Sequence, residues 1–103
     1  MRARVIMENT EIADYIQQKF AAHAELTIEQ VFGTDATLAE IVALSPKMTN
    51  SIDLMEAFAK TANGLRKDHG VQVRLPALPL DTPSSKVLEV FLEEFARQKE
   101  SVA

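Results

Sequence analysis

An all-α fold, a small four-helix bundle with long structured loops, is predicted by three features of this sequence. Apolar residues recur at three- and four-residue spacing in several stretches, the signature of helices with one buried face. Residues that start helices (threonine, asparagine, proline) and residues that stop them (glycine) fall at the ends of those stretches. Between 71 and 81 the chain alternates Val71, Val73 and Leu75 and then carries Pro76 and Pro79, which suits an extended crossing loop rather than a helix.

The first helix is expected over residues 10–23, with Asn9 or Thr10 as its cap and Ile12, Tyr15, Ile16 and Phe20 at helical spacing. Thr27 with Gln30 three positions on has the form of a capping box and marks a turn. Gly33, Thr34 and Asp35 break the pattern, and Leu38, Ile41, Val42 and Leu44 then predict a short buried turn of helix. Pro46 separates it from the next helix, because the residue before a proline avoids helical geometry. That helix should start at Asn50 or Ser51 and present a broad stripe of Leu54, Met55, Phe58, Ala59, Ala62 and Leu65. Gly64 costs it about 1 kcal/mol relative to alanine, so Asn63-Gly64 is one expected stop. Gly70, as a left-handed cap, is the other. Thr82 as cap and Pro83 at the first helical position open a last helix, with Val87, Leu88, Phe91, Leu92 and Phe95 on its apolar face.

A chain of 103 residues supports one domain, since a second core needs about another 100. The domain is expected over 1–103, with residues 1–7 disordered, a core over about 9–98, and Met7 as an alternative start. Apolar residues at 47% and charged residues at 25% are the balance of a globular domain rather than a disordered one. With no cysteine there is no disulfide, no thiolate zinc site and no cysteine nucleophile, so any thiol chemistry has to come from a cofactor. A net charge of -4 argues against nucleic acid, which demands a concentrated basic face. No stretch approaches the about 20 apolar residues of a membrane span. The two early arginines are followed by Glu8 and Glu11 rather than an apolar run, which is not a secretory signal and points to the cytoplasm.

The chain carries no phosphate-binding glycine loop, no HExxH and no GxSxG. His23 and His69 fall near expected helix ends, where the dipole favours them. Glu89, Glu93 and Glu94 belong to the polar side of the last helix. No base, nucleophile and orienting group converge, so an autonomous enzyme is not expected.

The segment Asn50-Ser51-Ile52-Asp53-Leu54-Met55-Glu56 resembles the modification site of acyl and peptidyl carrier proteins, an Asp-Ser-Leu motif heading the second helix. The likeness extends along the chain in order: Asp35-Ala36-Thr37-Leu38 before the site, Gly70-Val71-Gln72-Val73 after it, and Thr82-Pro83 with Val87, Leu88 and Phe91 for the last helix. Membership implies a carrier-protein-like bundle, monomeric, with 4'-phosphopantetheine attached to Ser51 as its covalent cofactor. It implies a phosphopantetheinyl transferase and acyl-transferring or condensing enzymes as partners, recognising Ile52, Asp53, Met55, Glu56 and Ala59. The apolar stripes add an expected acyl-chain pocket at Met55, Phe58 and Leu92. Asn50 stands where the family has aspartate, and Lys60, Arg66 and Lys67 make the outer half of the helix basic, which implies a specialised carrier with dedicated partners. The competing reading is a small helical adaptor in which Ser51 is a plain N-cap, worth about 1 kcal/mol.

Overall fold

The protein is described by a computed structural model that defines the backbone of residues 2–102 and the side chains of residues 10–98. Four α-helices follow one another: α1 Arg2–His23, α2 Leu38–Leu44, α3 Ser51–His69 and α4 Ser84–Val102, with a single π-helical turn, Glu29–Gly33, between the first two. The fold is all-helical, as the periodicity predicts, and among the described residues there is no strand. Among the described residues no helix is long and apolar enough to cross a membrane.

α1 begins at Arg2 rather than at Thr10. Residues 2–9 contain neither glycine nor proline, and Asn9 and Thr10 can cap only where the preceding backbone leaves the helix. The side chains of residues 1–7, where disorder was expected, lie outside those described. Ile12, Ile16 and Phe20 are buried on the inner face, at the spacing the sequence shows.

Thr27 and Gln30 do form a capping box: Gln30 N–H donates to Thr27 Oγ1 at 3.0 Å and Thr27 N–H to Gln30 Oε1 at 2.9 Å. It opens the π turn, whose widened ladder is set by Thr34 N–H to Glu29 O and Ala36 N–H to Val31 O. In α2 the buried residues are Leu38 and Ile41, whereas Leu44 is 52% exposed, a correction to the expected buried turn. With seven residues the helix has room for only two turns, and Leu44 falls on its outer side.

α3 passes through Gly64 and ends at Gly70, whose φ of 71° is the left-handed cap. α4 starts one residue later than expected. Pro83 stands just outside it, its carbonyl accepting from Lys86 and Val87, and Thr82 is not the cap. The free N–H groups of its first turn are met from across the chain: Ser84 N–H donates to Ala36 O and Ser85 N–H to Asp35 Oδ1 at 2.8 Å. Leu38 N–H to Thr82 O and Ala39 N–H to Leu80 O extend this seam, which ties the start of α2 to the start of α4.

α1 packs on α3 and α4. Phe20 stacks on Phe58 with centroids 5.0 Å apart, and Phe58 meets Phe91 edge-on at 6.2 Å, so one aromatic column joins the three long helices. Val71 and Val73 carry the 70–83 crossing loop onto this core.

Candidate functional site

The start of α3 is held by its neighbours rather than by Ser51. Asn50 is the N-cap, its Oδ1 accepting from the N–H groups of Ile52 at 2.9 Å and Asp53 at 3.2 Å. Asp53 reaches back, and its Oδ2 accepts from both the N–H of Thr49 at 2.8 Å and the Thr49 hydroxyl at 2.9 Å. Those two donors, the backbone one first, hold the Asp53 carboxyl below its ordinary value. Ser51 occupies the first helical position, exposed, and its hydroxyl has no hydrogen-bond partner among the described residues. The plain cap that the competing reading puts at Ser51 is Asn50 instead.

Ser51 opens onto an apolar groove of about 390 Å³ between α3 and the crossing loop. Along α3 the wall is Ser51, Leu54, Met55, Phe58, Ala59 and Ala62, the stripe that helical spacing generates. The facing wall is Leu38 with Val73, Leu75, Leu78 and Leu80. Pro76 lies within that wall, and prolines keep the segment extended, so its apolar side chains lie along the helix instead of forming a helix of their own.

Comparisons with protein-family models, with curated proteins and with solved structures found no match. The chemistry of the site therefore rests on its own residues.

Ile52, 69% exposed, and Met55, 59% exposed, stand beside the hydroxyl, with Glu56 and Ala59 also at the surface and Asp53 half-buried against Thr49. Six residues expected to act together thus share the first half of α3. Phe58 forms the floor of the groove and is also part of the core. Leu92 does not belong here: it sits half-buried in a separate shallow depression on α4 with Leu88 and Glu89, and its place in the expected pocket is corrected. The α4 stripe is wide enough for two contacts; Val87, Phe91 and Phe95 take the core, leaving Leu92 to one side. Sequence reasoning missed the loop wall, although the apolar residues of 71–80, interrupted by Pro76 and Pro79, were its signal.

His23 ends α1 and lines a small cleft with Lys47, Met48, Asp53, Glu56 and Lys60. Desolvation, then the charges of Lys60, Lys47 and Lys19, push its pKa down, against the helix dipole that would favour the charged ring. His69 ends α3 and packs edge-on to Tyr15.

Proposed function

We propose that the chain is an acyl carrier, not itself an enzyme, in which Ser51 is the attachment point for a phosphopantetheine arm. The observation that carries this is the Ser51 hydroxyl: exposed, without a hydrogen-bond partner among the described residues, relieved of capping by Asn50, and bordering an apolar groove. A serine needed only for the helix would be expected to cap it, and a serine on a merely solvated face would not border such a groove.

The residues present fit the arm. Ser51 supplies the oxygen. Attachment forms one P–O bond from Ser51 Oγ to the pantetheine-bearing phosphorus of coenzyme A as the pyrophosphate P–O bond breaks and adenosine 3',5'-bisphosphate leaves, the hydroxyl proton going to a base of the transferase. The new phosphodiester would lie at the positive end of a 19-residue helix, which favours an anion by about 0.3 to 1 kcal/mol at an exposed site. Asp53 is engaged by Thr49, whose N–H and hydroxyl both donate to its carboxylate. Once bound, the arm supplies the thiol that the cysteine-free chain lacks, on which acyl groups are held as thioesters.

Ile52 and Met55 present exposed apolar contacts, and Glu56 a charge, to a transferase and to acyl-transferring or condensing enzymes, while Phe58 and Leu54 give the groove its floor. In this reading the protein works as a cytoplasmic monomer serving fatty-acid or secondary-metabolite synthesis. The deciding experiment is intact mass after incubation with coenzyme A and a promiscuous phosphopantetheinyl transferase, beside Ser51→Ala. One phosphopantetheine gained by the wild type alone supports the carrier; no gain in a folded sample with several transferases overturns it.

A further inference from the structure

Thirteen residues line the groove, and Arg74 is the one among them that carries a charge. It is exposed and makes no ion pair among the described residues. Ala62 and Val73 line both the groove and an adjoining depression that also contains Arg66, another arginine with no ion pair among the described residues. Ala62 stands eleven residues beyond Ser51 on α3, about 16 Å along the helix, so the depression that holds Arg66 adjoins the groove at the end remote from the serine, and Arg74 follows the shared Val73 in the chain.

We infer that this groove binds a single aliphatic chain ending in a carboxylate, the chain lying along Leu54, Phe58 and Leu75 and the carboxylate meeting the guanidinium of Arg74. The walls offer a chain dispersion contact and water exclusion, which any apolar ligand would enjoy. What selects within that class is the charge. A carboxylate gives Arg74 a paired, bidentate partner that no side chain of the lining supplies. A neutral chain end leaves the guanidinium without one, and a cationic end is repelled. Ser51 need carry nothing for this recognition, so the groove can be tested apart from the carrier reading.

The full chain with Ser51→Ala, which cannot be modified there, is titrated with octanoate and with 1-octanol, followed by calorimetry and amide NMR. Octanoate should saturate one site, shift the signals of Leu54, Phe58 and Leu75, and bind about tenfold more tightly than octanol. Arg74→Gln should weaken octanoate by about five- to tenfold and leave octanol unchanged, while Arg74→Lys should retain part of the preference. Equal binding of the two ligands, an unchanged octanoate affinity in Arg74→Gln, or no binding of either would overturn the inference. Loss of arm attachment in the mass experiment would leave it standing.

Discussion

The hydroxyl of Tyr15 stands 2.7 Å from the point where a β-carbon on Gly64 would sit, and it donates to Asp68 Oδ2 at 2.5 Å. α1 and α3 approach closely enough there that only glycine leaves room for the tyrosine head. Gly64→Ala should therefore destabilise, even though alanine favours a helix interior by about 1 kcal/mol. In a Tyr15→Phe background the obstacle is gone and the same change should stabilise. Urea unfolding of the two singles and the double measures this; a stabilised Gly64→Ala single would refute the close approach.

The same contact fixes an alkaline limit. Burial first, then the hydrogen bond to Asp68 and its charge, raise the Tyr15 pKa from 10.0 to about 12. A raised folded pKa means its stabilisation is complete below pH 10 and is lost as pH rises towards 12. Absorbance titration should find Tyr15, the single tyrosine of the chain, ionising late, with Asp68→Asn bringing it down.

Capping and attachment belong to adjacent residues and should separate cleanly. Asn50→Ala should cost about 1 kcal/mol, whereas Ser51→Ala should change stability by less than about 0.5 kcal/mol. Thermal unfolding of both variants decides it; a large loss in Ser51→Ala would return the cap to the serine.

Charge in the groove should distinguish its floor from its rim. Phe58→Glu places a carboxylate within the Phe20–Phe58–Phe91 column and should leave the domain unfolded by circular dichroism. Met55→Glu, at an exposed rim position, should fold with a change within about 0.5 kcal/mol. Leu92→Glu, half-buried on α4, should fall between them.

His23 sets an acid-side dependence. Its folded pKa lies below the ordinary 6.5, so its contribution is complete above that value and is lost as pH falls through 6.5 towards the folded pKa. Denaturation midpoints should drop over this interval, and His23→Gln should flatten the drop. Lys60→Gln should shift the His23 ring titration upward by NMR.

The sequence by itself determined the all-helical class and the inner faces of the long helices. Periodicity is a local property, and burying one apolar stripe requires nothing but a partner stripe. It also determined that Ser51, Ile52, Asp53, Met55 and Glu56 share the opening turns of one helix, since those positions are fixed by chain order, while it left Gly64 and Gly70 both open as the end of α3 and the structure chose Gly70. Only the tertiary structure decided which residue caps α3, because Asn50 and Ser51 are both competent and the backbone angle at 50 chooses between them. It alone moved the start of α4 past Pro83 and supplied its cap from Asp35, fifty residues away, a relation invisible in local sequence. It likewise replaced Leu92 by the loop wall of Val73 to Leu80 as the partner of Phe58 in the groove. A stripe says that a side chain needs cover, and the path of the chain in space decides which residues provide it.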